Sequence, residues 1–116
     1  MKTWKRSLRR LNMGKELSLL GLAAKAGKVV SGGFSVEKAV KSGKAFLVIT
    51  AEDASENTKK EFRDMCTYYE VPFYSIGSKE ELGRAIGKEY RAVLAITEEN
   101  FSAATVKKIE KARQEQ

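Results

Sequence analysis

Two apolar runs without alternating polar residues constrain the fold of this 116-residue chain most strongly. They occupy residues 46–49 (FLVI) and 92–96 (AVLAI). A strand with one face in water alternates apolar and polar side chains, whereas a strand covered on both faces forms a continuous apolar run. Both runs therefore predict central strands of a sheet that has helices packed against each side.

The rest of the chain divides into alternating helices and strands. Strands are predicted at 29–31, 46–50, 72–76 and 91–97. Helices are predicted at 15–26, 55–69, 79–86 and 102–113, with one more around 36–40. Gly27, Gly43 and Gly87 follow three of these helices, and glycine is the usual left-handed residue at a helix end. The order αβαβαβαβα predicts an α/β fold, a three-layer α/β/α sandwich around a small four-stranded, mixed sheet.

Pairs of polar residues mark where two helices begin. Asp53 with Glu56, and Ser78 with Glu81, have the spacing of a capping box. In that motif the first side chain caps a backbone N–H, and the later carboxylate reaches back to the cap residue. We therefore interpret the paired acids of this chain as helix caps rather than catalytic groups.

The chain is expected to form one domain over residues 14–116, preceded by a basic extension at residues 1–13. The extension has five basic residues and no acid, with Trp4, Leu8 and Leu11 spaced to share a helical face. It is either an arm that orders on RNA or a disordered extension. Because Met13 directly precedes the globular pattern, a third alternative is that the extension results from an upstream start codon. The pattern does not decide between these alternatives.

Several classes of function are disfavoured by composition. No apolar run approaches the roughly 20 residues of a membrane-spanning helix, and no signal-peptide core follows the basic start, so we expect a cytoplasmic protein without membrane contact. Histidine is absent and Cys66 is the one cysteine, which excludes a Cys/His metal cluster and His-dependent nucleophilic catalysis. The Gly-Lys pairs lack the P-loop pattern. We expect no cofactor, no metal and no enzymatic activity.

Charge is distributed unevenly along the chain. The net charge is +7, which favours a polyanionic partner. Residues 1–45 carry 11 basic and 2 acidic side chains, whereas residues 46–116 carry 11 basic and 13 acidic ones. The N-terminal half is therefore expected to supply a basic face, although charged runs are often only a solvated surface.

The segment 28–41 (KVVSGGFSVEKAVK) is the strongest candidate for a binding site. A Gly32-Gly33 turn that opens a helix presents free backbone N–H groups and the positive end of the helix dipole, which suit phosphate or base-edge acceptors. Lys28, Lys38 and Lys41 surround this turn with positive charge. The same pattern also occurs in ordinary strand-to-helix turns, so the residues alone leave both interpretations open.

The stretch from residue 17 to 96 resembles the L7Ae/L30e family of small α/β/α RNA-binding ribosomal proteins, particularly its bacterial YlxQ-type members. The matching segments occur in the family's order and cover about 80 of the 116 residues. They are 21–27 (GLAAKAG), 32–43, 48–53 (VITAED), 71–72 (VP), 78–83 (SKEELG) and Gly87. The resemblance implies the same sandwich fold and RNA binding without catalysis.

Members of that family bind kink-turns, which are sharply bent RNA helices with sheared G·A pairs and an extruded nucleotide. A bend exposes base edges that the narrow A-form major groove hides. The resemblance implies that residues 32–38 enter the widened groove and that a second loop, 88–91, contacts phosphate and the extruded base. The predicted RNA-binding residues are Lys28, Ser31, Gly32, Gly33, Phe34, Ser35, Lys38, Lys41, Tyr90 and Arg91.

The chain departs from the family pattern inside this turn. Phe34 and Ser35 stand where members usually carry Asn and Glu, which read guanine through hydrogen bonds. Phe34 either stacks on a base or turns inward as a core residue. The departure therefore puts strict kink-turn specificity in question.

Three functions follow from these observations. The first is a monomeric, non-enzymatic, ribosome-associated protein that binds kink-turn or similarly bent structured RNA, including ribosomal RNA. The second is a protein-interaction adaptor on the same fold, in which Phe34 and Tyr90 form a partner hot spot. The third is an enzyme, or the RNA-docking module of one, although we expect no separate catalytic domain in a chain of this length.

Overall fold

The computed structural model describes residues 15–114, which fold into five helices and four strands. The prediction of a basic extension at residues 1–13 lies outside this range. The first helix, α1, covers residues 15–25. The elements that follow are β1 (Val29–Ser31), α2 (Gly33–Lys41), β2 (Leu47–Thr50), α3 (Glu56–Tyr69), β3 (Phe73–Ser75), α4 (Lys79–Ala85), β4 (Val93–Ile96) and α5 (Glu99–Gln114). None of the helices in this range is long and apolar enough to cross a membrane.

The four strands form one mixed sheet in the order β1-β4-β2-β3. β4 is antiparallel to both of its neighbours, and β2 is parallel to β3. Every residue of β2 and β4 is buried. These strands are the two non-alternating apolar runs, and their central position confirms the prediction made from them.

The helices cover the sheet from both sides. Successive strand residues point to opposite faces, so Ile49 and Leu94 pack in one core while Val48 and Val93 pack in the other. The first core includes Leu20 of α1, Leu82 of α4 and Ile109 of α5. The second includes Val36, Ala39 and Val40 of α2 and Phe62 and Cys66 of α3. The three-layer α/β/α sandwich is therefore confirmed.

The predicted helix ends are largely observed. Gly27, Gly43 and Gly87 have φ of 74°, 77° and 78°, in the left-handed region that glycine adopts without steric cost. Ser78 and Glu81 form the predicted capping box at the start of α4.

One predicted capping residue and one predicted helix start were wrong. The Asp53 carboxylate does not cap α3; it accepts a hydrogen bond from the backbone N–H of Lys79 at 2.8 Å, at the start of α4. Ser55 caps α3 instead, through the N–H of Thr58. Helix α5 begins three residues before the predicted start at residue 102, because Glu98 accepts the N–H of Phe101 at 2.8 Å and that of the preceding residue. These hydrogen bonds lower the pKa of the Glu98 carboxyl.

One edge of the sheet brings most of the candidate residues together. The strands β1, β2 and β3 run in the same direction, opposite to β4. The carboxyl ends of the first three strands and the start of β4 therefore lie at the same edge. Helices α2, α3 and α4 all begin there, and the loop 87–92 ends there, where it leads into β4.

Candidate nucleic-acid interface

The turn between β1 and α2 presents free backbone donors at this edge. Gly32 has a φ of 91°, and its N–H donates to the carbonyl of Val93 at 3.0 Å, which fixes the turn against β4. Helix α2 begins without a side-chain cap and without an acidic residue in its first turn. The N–H groups of Gly33, Phe34 and Ser35 have no hydrogen-bond acceptor within residues 15–114. They point outward at the positive end of the helix dipole.

Phe34 points into solvent. Its side chain is 82% exposed, and the core on this side of the sheet is formed by Val36, Ala39 and Val40 instead. The inward alternative is therefore wrong, and the ring is free to stack on a planar group. Phe34 shares a helix face with Lys38, four residues later.

A shallow groove follows this face of α2 toward its carboxyl end. It has a volume of about 390 Å³ and is lined by Phe34, Glu37, Lys38, Lys41 and Ser42. Lys41 pairs with Glu37 at 2.6 Å, and this hydrogen bond raises the pKa of the Lys41 ammonium. Lys38 has no ion-pair partner in the described part of the chain. Lys38 is therefore the stronger candidate for contact with an anion, and Glu37 partly neutralises Lys41.

Arg91 joins the two predicted contact segments, although 60 residues separate them in the sequence. Its Nε donates to the hydroxyl of Ser31 at 3.0 Å, and its Nη1 donates to the carbonyl of Tyr90 at 2.6 Å. Its backbone N–H donates to the carbonyl of Lys79 at 3.1 Å. Its Nη2 has no partner within residues 15–114. The guanidinium is therefore held beside the α2 turn with donor capacity left for a ligand.

The loop 88–91 rests directly on α4 at Gly83. A Cβ atom on Gly83 would lie 2.4 Å from the carbonyl oxygen of Glu89 and 2.9 Å from the nitrogen of Tyr90. The carbonyl of Gly83 also accepts the N–H of Lys88 at 2.7 Å. Tyr90, at the tip of this loop, is 61% exposed.

Sequence reasoning missed the role of Gly83. An isolated glycine inside a helix costs about 1 kcal/mol relative to alanine and often marks a close backbone approach. The presence of a glycine inside the predicted helix 79–86 is therefore the sequence signal that could have identified this contact.

Lys28 is separated from the other predicted residues. It precedes β1, and its carbonyl accepts the N–H of Thr97, so it lies at the opposite end of the strand from Gly32. Its charge contributes to the lowered pKa of the Glu98 carboxyl. Lys28 and Gly32 are about 13 Å apart along the strand, from four residues at 3.3 Å each.

The basic residues of the N-terminal half do not share one face. Lys15 and Lys25 lie on α1, on one side of the sheet, while Lys38 and Lys41 lie on α2, on the other. The prediction of a single basic face from residues 1–45 was therefore wrong for the described residues. It failed because α1 and α2, although consecutive, pack on opposite sides of the sheet.

Other chemistry-bearing residues have structural surroundings. Cys66 is buried among apolar side chains, and this burial raises the pKa of its thiol to about 11, as expected of a core cysteine. Within residues 15–114 no cluster of three or more Cys, Asp or Glu side chains is arranged to hold a metal ion.

The fold and this edge define a small α/β/α protein of the ribosomal-protein type. A family model, described as "Ribosomal protein L7Ae/L30e/S12e/Gadd45 family", matches residues 15–106. The chain belongs to this family, which confirms the resemblance stated from the sequence.

Curated relatives cover most of the chain. The RNA-binding protein YlxQ of Bacillus subtilis (strain 168) is 50% identical over 84 residues, which are 72% of this chain and 84% of that protein. The RNA-binding protein YlxQ of Enterococcus faecium is 40% identical over 99 residues, which are 85% of this chain and 95% of that protein.

Solved structures show the same fold. A protein of unknown function from Bacillus halodurans superimposes with a TM-score of 0.81 at 43% identity, covering 83% of this chain and 97% of that one. The 15.5 kD RNA-binding protein of Giardia lamblia superimposes with a TM-score of 0.72 at 31% identity, covering 86% and 89% respectively.

Proposed function

We propose that this protein is a non-enzymatic RNA-binding protein that recognises a kink-turn or a similarly bent structured RNA. The observation that carries the proposal is the hydrogen bond from Arg91 to Ser31, which unites the α2 turn and the loop 88–91 into one surface. The named function of the YlxQ relatives, RNA binding, supports the same conclusion. Membership of a ribosomal-protein family supports a segment of ribosomal RNA as the ligand.

The surface has the groups that a bent RNA requires. The free N–H groups at the start of α2 donate to phosphate or base-edge oxygens, and Lys38 adds a mobile positive charge one turn further on. The exposed rings of Phe34 and Tyr90 offer stacking platforms for unpaired bases. A regular duplex has no unpaired base to place on them, whereas a sharply bent one does.

Phe34 changes how the RNA is read. The phenyl ring has no hydrogen-bonding group. At this position the protein therefore distinguishes RNAs by whether an unpaired base is available for stacking, and not by the hydrogen-bonding pattern of a base edge. We infer that the protein recognises the bend and its extruded nucleotides more than the identity of the flanking pairs. Because one chain carries both halves of the surface, we also infer that it binds RNA as a monomer.

The carboxylates at the starts of helices α4 and α5 support a role without catalysis. Asp53 accepts the N–H of Lys79, Glu81 accepts that of Ser78, and Glu98 accepts two further N–H groups. These acids are engaged in capping helices, which accounts for them without an acid–base reaction.

The experiment that tests the proposal is a salt-series titration against two RNAs. One RNA contains a kink-turn, and the other is the same sequence with its G·A pairs replaced by Watson–Crick pairs. A preference of at least tenfold for the kink-turn, about 1.4 kcal/mol, that persists at higher salt is expected. Lys38→Ala should weaken kink-turn binding, whereas Lys60→Ala, a matched change on the exposed face of α3, should not. Equal and steeply salt-dependent binding of both RNAs would contradict the proposal.

A second function is favoured by the exposure of the two rings. Phe34 at 82% and Tyr90 at 61% are large apolar groups facing solvent at one edge. Such a pair is also suited to binding a protein partner, because aromatic residues often contribute most of the binding energy of a protein–protein interface. The adaptor function predicts no kink-turn preference in the titration above.

A further inference from the structure

A second cationic surface lies on α5, away from the candidate interface. Lys107, Lys108 and Lys111 fall within little more than one helical turn, and Lys107 and Lys111 are exposed. They line an open groove of about 620 Å³ together with Ala104, Val106, Glu110 and Gln114.

The acid in this stretch does not neutralise the lysines. The Glu110 carboxylate accepts the hydroxyl hydrogen of Tyr74 at 2.5 Å, and this contact directs it toward β3. The guanidinium of Arg113 lies over the same Tyr74 ring, 5.0 Å from its centroid. Among the described residues, neither Lys107 nor Lys111 forms an ion pair.

Helix stability does not explain the arrangement. Like charges four residues apart, such as Lys107 and Lys111, destabilise a helix by a few tenths of a kcal/mol. A cation near the carboxyl end is favourable only within the last turn, which contains Lys111 but not Lys107. Burial raises the pKa of the Glu16 carboxyl, and the charge of Lys108 opposes this rise, so part of the Lys108 charge acts inside the protein. The two exposed lysines remain for an external anion.

The two cationic surfaces face different directions. Helix α5 packs on the core that contains Leu20 and Ile109, whereas α2 packs on the opposite side of the sheet. Contact of an RNA with the outer face of α2 therefore does not cover the exposed face of α5.

We propose that Lys107 and Lys111 bind the phosphate backbone of a second RNA segment, so that one protein molecule bridges two RNA segments. The choice of RNA as the polyanion rests on the proposed function of the α2 turn. Flexible ammonium groups on one helix face contact phosphates without reading bases. This surface is therefore expected to add affinity that is independent of sequence and sensitive to salt.

The test measures the binding of plain duplex RNA, which does not require kink-turn recognition. The variant Lys107→Gln/Lys111→Gln is compared with Lys60→Gln/Arg63→Gln, which removes two exposed charges from α3. Each lost phosphate contact should lower the slope of log K against log salt by about 0.7–0.9, so the α5 variant should lose between one and two units. The α3 variant should retain the wild-type slope. Equal slopes for wild type and the α5 variant would overturn the proposal.

A second measurement tests bridging. Kink-turn RNA is immobilised, saturated with protein, and exposed to labelled duplex RNA. Wild type and the α3 variant should retain the duplex, and the α5 variant should retain at least fivefold less while binding the kink-turn unchanged. If the immobilised kink-turn RNA failed to bind the protein, kink-turn recognition would be refuted. The binding of duplex RNA by α5 would still be tested by the duplex titration, which uses no kink-turn. Retention of the duplex by the α5 variant at the wild-type level would refute bridging through α5.

Discussion

Substitution of Gly83 by alanine should displace the loop that carries Tyr90 and Arg91. The added Cβ would lie 2.4 Å from the carbonyl oxygen of Glu89, whereas non-bonded heavy atoms settle near 3.5 Å. The loop must therefore withdraw by about 1 Å. Because the contacted atoms belong to the backbone, no side-chain rotation can relieve the clash.

The magnitudes follow from two opposing effects. Overpacking of this kind costs about 1–3 kcal/mol, and the better helix propensity of alanine returns about 1 kcal/mol. We expect a net loss of up to about 2 kcal/mol in the free energy of unfolding. We also expect a loss of RNA affinity of about five- to a hundredfold, because a base stacked on Tyr90 contributes about 1–3 kcal/mol.

The assay combines urea denaturation with RNA titration of the folded variant. Glu61→Ala, an exposed change on α3, is the control and should alter the free energy of unfolding by less than about 0.5 kcal/mol. If Gly83→Ala retained both wild-type stability and wild-type affinity, the contact between α4 and the loop would not position the interface.

Three further substitutions test the Phe34 ring, the Arg91 guanidinium and the buried Glu16 carboxyl. Phe34→Ala should leave the denaturation midpoint unchanged, because the ring is exposed. It should lower kink-turn affinity by about five- to a hundredfold, the loss of one stacked base. Unchanged affinity would show that the ring is not part of the interface. Arg91→Ala should reduce the salt slope of RNA binding by about one unit, the effect of one lost phosphate contact, and an unchanged slope would exclude that contact. Burial raises the pKa of the Glu16 carboxyl to about 7, so the folded protein holds this proton at pH values where the unfolded chain has released it. The free energy of unfolding should therefore fall by about 2–3 kcal/mol as pH rises from about 4.5 to 7. Glu16→Gln should abolish this loss, as measured by chemical denaturation at a series of pH values. A wild-type pH profile in the variant would show that Glu16 is not the titrating group.

The parts of the fold that depend on local pattern were predictable from the sequence. The apolar runs in β2 and β4 identified the buried centre of the sheet, because burial on both faces excludes polar residues. The glycine helix ends and the capping box at Ser78 also depend on neighbours only a few residues away.

The parts that depend on tertiary contacts were not predictable. Asp53 caps a helix that begins 26 residues later, because the ends of β2 and β3 meet at one edge. Arg91 and Ser31 also meet only once β4 is inserted beside β1. The division of positive charge between the two sides of the sheet depends on which face each helix covers, which no local spacing encodes.

For the candidate site, the sequence predicted candidate residues but not their arrangement. It left Phe34 with two orientations, and the structure shows the exposed one because Val36, Ala39 and Val40 already fill the core beneath α2. The identification of residues 88–91 came from family resemblance, since the loop has no motif with a chemical meaning of its own.

The most direct test of the central claim is an amide chemical-shift titration with kink-turn RNA, at a salt concentration of about 0.2 M that weakens nonspecific contacts. We expect the largest shifts at the N–H groups of Gly33, Phe34 and Ser35 and in the loop 88–91, with little change along α3. Shifts concentrated on α3 and β3, or spread evenly over the lysine-bearing helices, would contradict it.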